Sequence, residues 1–229
     1  MVREDGPICE DVQVMVYFTP AFKMHFSDPI THIKRQFQHV NWIFSLNKIP
    51  VNLVVFCIEE LEGFVENSDP RQRLRDFRLA KTTLVRARRS LTGPFIGDAE
   101  KLLNSADIAI LMTGTGTREH VGMALRGPPI PRRPPLAWVF PKHDLTLAHE
   151  IGHIFGCRHN REKYEQGGNL SSASYGYLVK GSNRATIMAY PNTEYHKNIP
   201  LFSSKDIQLN GMPLGDSRHD NREVSMSQV

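Results

Sequence analysis

The chain has 229 residues, of which 40% are hydrophobic and 23% are charged, and its net charge is +4. This composition is typical of a water-soluble globular protein, and it excludes a membrane protein because no apolar run is long enough to span a bilayer. The small excess of Lys and Arg gives no reason to expect a nucleic-acid partner. Three cysteines are too few for a disulfide scaffold, and their odd number leaves at least one thiol free, paired with another chain or deprived of its partner by truncation.

Predicted strands and helices alternate along the first half of the chain. Residues 12–18 are rich in β-branched and aromatic side chains, which predicts a strand. Residues 31–46 place apolar side chains at helical spacing, which predicts an amphipathic helix. The continuous apolar run at residues 51–58 is typical of a strand that is buried on both faces. A second helix is predicted to begin at Pro70 and to end before Gly93.

The second predicted helix is rich in arginine, and two more arginines lie in a proline-rich loop further along the chain. We interpret these cationic side chains as a solvated surface, although a site for a polyanion or an acidic partner would also explain them. The residues concerned are Arg71, Arg73, Arg75, Arg78, Lys81, Arg86, Arg88, Arg89, Arg132 and Arg133.

Four shorter elements are predicted in the middle of the chain. They are a helix at residues 98–104 and strands at residues 108–112, 121–125 and 136–140. Asp144 is the predicted N-cap of a further helix. This order predicts an α/β (α+β) fold with a mixed, twisted sheet of about five strands and packed helices.

The domain organisation follows from a change in composition late in the chain. Beyond residue 159, Gly, Ser, Asn, Tyr and Pro dominate, which indicates a region rich in loops. We therefore predict a single domain over residues 8–229. Its upper lobe would span about residues 8–157, and a smaller lower lobe would span about residues 158–229.

Three histidines and one glutamate form the most informative motif in the sequence. His149 and His153 are four residues apart, so on an α-helix they project from one face and can share a metal ion. Glu150 lies beside this pair, where a carboxylate can act as general base toward a metal-activated water. His159 cannot reach the same metal from a continuing helix, and Gly156 supplies the helix break that turns the chain back. Three neutral imidazoles leave a fourth metal position open, as in catalytic zinc sites.

This motif, followed 29 residues after His159 by Met188, resembles that of the metzincin clan of zinc endopeptidases. Within the clan, the chain is most similar to reprolysin-like and peptidyl-Asp metalloendopeptidase members. The resemblance implies a metzincin-like fold, one catalytic Zn²⁺ held by the three histidines, and a tight turn that places Met188 beneath them. It also implies secretion, although residues 1–6 lack the apolar core of a secretory signal, so that a cytosolic chain or a processed fragment would fit the terminus.

Two further site features are implied by the resemblance. Tyr190 follows Met188 by two residues, the spacing at which astacins and serralysins carry a tyrosine that ligates zinc or binds the transition-state oxyanion. A tyrosine packed beneath the turn is the alternative role. The edge strand that would hold an extended peptide corresponds to Gly122, Met123 and Ala124.

Two residues depart from the pattern of the clan. Asn160 stands where adamalysins carry Asp and astacins carry Glu, so the contact made beneath the site by this position is altered. The residue before Gly122 is not the cysteine found in many relatives, which would remove a disulfide partner for Cys157. We expect the Cys157 thiol to be structural and to point away from the metal.

The predicted function is that of a zinc-dependent endopeptidase, in which Glu150 acts as general base toward a zinc-activated water. A peptide or protein substrate and a monomeric enzyme are expected. The alternatives are a catalytically inactive metzincin-like protein that binds zinc and a partner, and a zinc hydrolase that does not cleave peptides. A chance run of surface histidines would explain the motif without any metal. No residue in the sequence dictates the charge or size of the substrate side chain.

Overall fold

The structure is a computed structural model that describes residues 9–92, 106–125, 134–160, 174–190, 197–217 and 219–221. Side chains are described for these residues except at positions 85–92. The predicted helix at residues 98–104 and the arginines at positions 132 and 133 lie outside the described residues.

Five strands of the described chain form one sheet. These are β1 (Glu10–Phe18), β2 (Val51–Glu60), β3 (Ile108–Met112), β4 (Gly122–Ala124) and β5 (Leu136–Val139). Their order across the sheet is β2-β1-β3-β5-β4, and all neighbours are parallel except β4, which runs antiparallel to β5. The prediction of a mixed sheet of about five strands, with helices packed against it, is thus confirmed.

Among the residues that the structure describes, four helices accompany the sheet: α1 (Pro20–His25), α2 (Pro29–Leu46), α3 (Pro70–Thr92) and α4 (Thr146–Ile154). Because successive side chains of a strand point to opposite faces, β1 contributes to two hydrophobic cores. Val14 and Val16 pack in the core that includes buried residues of α2 and α4. Met15 and Tyr17 pack in the core that includes α3. Helix α4 therefore lies in the layer with α2, and α3 lies in the opposite layer.

The prediction that β2 is buried on both faces is wrong. β2 is the outer strand of the sheet at the side of β1, and most of its residues after Leu53 are only partly buried. A continuous apolar run indicates only the average hydrophobicity of a strand. Whether the strand lies at the edge or in the centre of the sheet depends on its pairing with strands that are distant in sequence.

Helix α1 is an element that the sequence pattern does not predict. Its start is specified by Thr19, whose Oγ1 accepts a hydrogen bond from the backbone N–H of Phe22 at 3.0 Å. Pro20 occupies the first helical position, where its missing N–H costs nothing. The same two residues therefore end β1 and begin α1.

Arg73 is buried, which contradicts its interpretation as part of a solvated surface. Only 1% of it is exposed, and its guanidinium lies 4.5 Å from the centre of the Trp138 ring. The guanidinium donates to the carbonyl oxygens of Asn67 at 2.8 Å and Thr115 at 2.6 Å. Glu66 lies 4.0 Å away and accepts hydrogen bonds from the backbone N–H groups of Gly114 and Thr115. A buried guanidinium with these partners fixes the loop that follows β3.

The other described arginines of α3 behave as predicted. Arg71, Arg75 and Arg78 are exposed on the outer face of the helix.

Short strand pairs and loops form the described chain after α4. The strands are β6 (Arg158–Asn160), β7 (Tyr175–Gly176), β8 (Arg184–Ala185), β9 (Lys197–Asn198), β10 (Gln208–Leu209) and β11 (Met212–Pro213). A separate small core lies in this region and consists of Tyr177, Val179, Ile199, Leu201 and Leu214. Over the part of the chain that the structure describes, none of the helices has both the length and the apolar character needed to cross a membrane.

His32 gives the fold a predicted dependence on pH. Its ring stacks on that of Phe26, with 3.7 Å between the ring centres. Burial is the main cause that lowers the pKa of the His32 imidazole below the usual 6.5, and the positive charge of Arg35 lowers it further. Below about pH 6.5 the unfolded chain takes up a proton that the folded chain resists, so the free energy of unfolding falls as the pH decreases. Replacing His32 by Phe keeps the stack and removes the titration. Urea unfolding between pH 5 and 8 should therefore show a shallower pH dependence for His32→Phe, and identical slopes would contradict this assignment.

Candidate metal centre and catalytic cleft

Helix α4 contains the first two histidines of the motif and packs against the core of the molecule. Leu147, Ala148 and Ile151 on this helix are fully buried in the core shared with the sheet and α2, which fixes the rotation of the helix. His149 and His153 consequently project together from the face that meets the cleft, with their ring centres 4.8 Å apart.

Asp144 is not the N-cap of this helix, which corrects the sequence prediction. The helix begins at Thr146, and the capping position belongs to Leu145, which makes no side-chain capping bond. Instead, a tight turn precedes the helix, in which the Thr146 N–H donates to the carbonyl of His143 at 3.0 Å. Tertiary packing, which contributes most of the stability of a short helix, therefore sets this boundary.

A sharp turn after α4 brings the third histidine back to the first two. Gly156 has φ = +91°, a conformation that other residues rarely adopt. The N–H of Cys157 donates to the carbonyl of Gly152 at 2.9 Å and closes the turn. The chain then enters β6, which pairs with β7 and places His159 opposite α4.

The three imidazoles converge through their Nε2 atoms. The Nε2 of His159 lies 3.0 Å from that of His149 and 2.8 Å from that of His153. Tetrahedral bonds of about 2.0–2.1 Å to a common zinc ion would separate such nitrogens by about 3.3 Å. These two distances are close to the separation of ligands around one ion, and the ligand atoms of all three histidines lie within 4.8 Å of one another.

Backbone carbonyls determine which nitrogen of two of these histidines faces inward. His149 Nδ1 lies 2.9 Å from the carbonyl oxygen of Ile187, and His153 Nδ1 lies 2.8 Å from that of Cys157. A carbonyl can only accept, so in both rings Nδ1 carries the proton and Nε2 presents its lone pair to the centre. Three converging imidazoles are a ligand set that Zn²⁺ prefers, so the residues fit the metal that the motif predicts.

Met188 lies directly beneath the helix that carries the ligands. It is fully buried, and a Cβ added to Gly152 would come within 2.6 Å of its sulfur. Only glycine at position 152 therefore lets the methionine approach so closely. The turn is closed by a bond of 2.9 Å from the Ala189 N–H to the Thr186 carbonyl.

Glu150 faces the edge strand of the sheet. It is 5% exposed, and a Cβ added to Gly122 would lie 2.5 Å from its Oε1. The carboxylate therefore packs against the backbone of β4. A cavity of about 800 Å³ opens at this point, and its lining includes Gly122, His149, Glu150 and Tyr190. This volume is within the range that accommodates a ligand.

Tyr190 lies beside the histidines. Its ring centre is 4.0 Å from that of His159 and 6.0 Å from that of His149. The residue is 41% exposed and lines the cavity. It is therefore not packed beneath the turn, and its phenol belongs to the wall of the cleft.

Several main-chain groups at the site could not be found by sequence reasoning. The carbonyls of Ile187 and Cys157 orient His149 and His153, yet no side-chain pattern marks these carbonyls. Asn198 donates to the carbonyls of Thr186 and Ala189, both at 2.8 Å, and so supports the turn around Met188.

The Cys157 thiol is buried and lies 3.5 Å from the carbonyl oxygen of Asn221.

A comparison with known proteins gives matches to a curated protein, to solved structures and to a family model. Among curated proteins, a peptidyl-Asp metalloendopeptidase of Stenotrophomonas maltophilia (strain K279a) is 33% identical over 85 residues. This match covers 34% of the chain but only 20% of that relative. Among solved structures, a chain in the structure of a chaperone–substrate complex has a TM-score of 0.65 at 13% identity, over 96% of this chain and 34% of that one. This likeness concerns the fold alone.

A second solved structure, metalloproteinase-II from Bacteroides fragilis, has a TM-score of 0.49 at 17% identity, over 83% of this chain and 49% of that one. The family model described as metallo-peptidase family M12 matches residues 65–203, which is more than half of the chain and includes the three histidines and Met188. The predicted metzincin-like family is confirmed, and the chain belongs to metallo-peptidase family M12.

Proposed function

We propose that this protein is a zinc-dependent endopeptidase. The observation that carries the proposal is the convergence of three Nε2 atoms beside a buried glutamate. His149 and Glu150, which belong to this group, also line a cavity of about 800 Å³ at the edge of the sheet. His149, His153 and His159 would hold the metal. A bound Zn²⁺ would supply Lewis acidity, which lowers the pKa of water and polarises a carbonyl group.

Glu150 is the proposed general base. It follows the ligand His149 directly on α4, and its carboxylate reaches the cavity against Gly122. From there it would accept the proton of the attacking water and then return it to the amine that leaves. Tyr190 is the proposed oxyanion donor, because its ring lies next to the ligand rings and lines the same cavity.

The substrate is proposed to bind as an additional strand along β4. In the described sheet β4 pairs with β5 on one side only, so its other edge can hydrogen-bond an extended peptide. Gly122, at the start of this strand, also contacts Glu150, which would bring the peptide bond next to the base.

The charges of the cavity do not favour one kind of substrate side chain. Lys142 and Lys197 line it together with the acidic residues Glu119, Asp144 and Glu150, so that side chains of both charges are present. The proposal therefore concerns peptide bonds in general.

An extracellular location and a monomeric state, both inferred from the family, are parts of the same proposal.

Replacing Glu150 by Gln tests the proposed reaction. The amide keeps the size of the side chain but cannot take a proton, so cleavage should fall by about 10²–10⁴-fold while zinc content is retained. The assay is digestion of an unfolded protein mixture, with the cut sites mapped by mass spectrometry. Glu62→Gln, which changes an exposed carboxylate outside the lining of this cavity, is the control and should cleave normally.

The outcomes of this assay separate the proposed enzyme from its alternatives. Cuts that disappear in Glu150→Gln and with a zinc chelator, but persist in the control, support the endopeptidase. Stoichiometric zinc without any cuts by the wild type would identify an inactive zinc-binding protein. Near-normal cleavage by Glu150→Gln would disprove the role of the glutamate.

Replacing Gly122 by Ala tests the contact between the edge strand and the base. The added Cβ would lie 2.5 Å from Glu150 Oε1, so the carboxylate must move. Because displacement of a catalytic group by about 1 Å can cost about 10²-fold, kcat should fall by one to two orders of magnitude with zinc affinity unchanged. Ala124→Gly, two residues along the same strand, should have a much smaller effect. An unchanged kcat for Gly122→Ala would show that Glu150 does not act from its position against β4.

A further inference from the structure

Asn160 lies next to the third ligand and contacts a residue thirty positions away. It ends β6, directly after His159, and is 7% exposed. Its Oδ1 accepts a hydrogen bond from the Tyr190 N–H at 2.6 Å, and its Nδ2 donates to the Tyr190 carbonyl at 3.2 Å. One side chain therefore binds both main-chain polar groups of Tyr190.

An amide side chain of this length satisfies both hydrogen bonds at once. The backbone N–H can only donate and the carbonyl can only accept, so the partner must offer one acceptor and one donor side by side. A carboxylate would accept from the N–H but would place a second acceptor against the carbonyl oxygen. Aspartate at position 160 would thus lose one bond and leave a negative charge in a buried place.

These two hydrogen bonds determine the position of the Tyr190 phenol. The backbone of the residue is fixed to β6, and the same strand carries His159, whose ring lies 4.0 Å from the Tyr190 ring. Ala189, immediately before it, is held by Asn198 from the other side. The Cα position of Tyr190, and hence the reach of its phenol into the cavity, is tied to the strand of the third ligand.

We propose that Asn160 is a positioning residue for Tyr190. Its amide couples the ligand strand to the turn and so sets where the phenol can meet the oxygen of a reacting carbonyl. This inference rests on the proposed function, because Tyr190 acts there as an oxyanion donor. Asn160 itself touches no reacting atom.

The chain offers a matched control for the loss of this contact. Asn41 makes the same pair of hydrogen bonds to the backbone of Leu53, accepting from its N–H at 2.8 Å and donating to its carbonyl at 3.0 Å. That contact joins α2 to β2. Asn41→Ala therefore removes the same two bonds at a place that is not part of the cleft.

A double-mutant cycle tests the proposal. Asn160→Ala should lower kcat about tenfold with little change in KM and with zinc retained, because only the transition state uses the phenol. In the Tyr190→Phe background the same substitution should change kcat less than twofold, since the group that it positions is gone. Asn41→Ala should leave kcat unchanged. If the alanine protein does not fold, Asn160→Ser serves as a second variant, because it shortens the side chain, keeps a neutral polar group and should show the same dependence on Tyr190.

Hydrogen exchange at the Tyr190 amide provides a readout that is independent of activity. Asn160→Ala should accelerate this exchange relative to the wild type, and Asn41→Ala should not. An equal loss of kcat in both backgrounds, or an unchanged exchange rate, would overturn the proposal. If the wild type cleaves nothing, the proposed function fails, and the exchange rate still decides whether Asn160 holds Tyr190.

Discussion

Two hydrogen bonds from imidazole Nδ1 atoms to backbone carbonyls are the constraint on which the site depends. They join His149 to Ile187 and His153 to Cys157, and they leave each Nε2 with a lone pair directed at the same point. Without them, either ring could rotate or carry its proton on the inner nitrogen, and the proposed metal ion would lose a ligand. The acceptors belong to the turn around Met188 and to the turn after α4, so both turns orient ligands as well as packing against them.

The layers of the fold supply the remaining parts of the site. Helix α4 is locked in rotation by its buried face against the sheet, and β4 places Gly122 against Glu150. On the other face of the sheet, the buried Arg73 and Glu66 fix the loop that leads from β3 toward β4. One continuous set of packed elements therefore positions the three histidines, the glutamate and the edge strand for which we propose the roles of metal ligands, base and substrate edge, as preorganised catalysis requires.

Local features of the site were predictable from the sequence, and long-range features were not. The pairing of His149 with His153 follows from the helical period, and the need for a turn at Gly156 follows from glycine chemistry. The burial of Arg73, the edge position of β2 and the contact between Asn160 and Tyr190 depend on residues that are distant in sequence. The carbonyls that orient the ligands carry no sequence signal, because every residue has one.

X-ray absorption at the zinc edge tests most directly whether the three imidazoles share one metal ion. The account predicts one zinc per chain with three imidazole nitrogens at about 2.0–2.1 Å. It also predicts that His159→Ala lowers this number to two. Zinc well below one per chain, or a sulfur neighbour at about 2.3 Å that would implicate Cys157, would contradict the account.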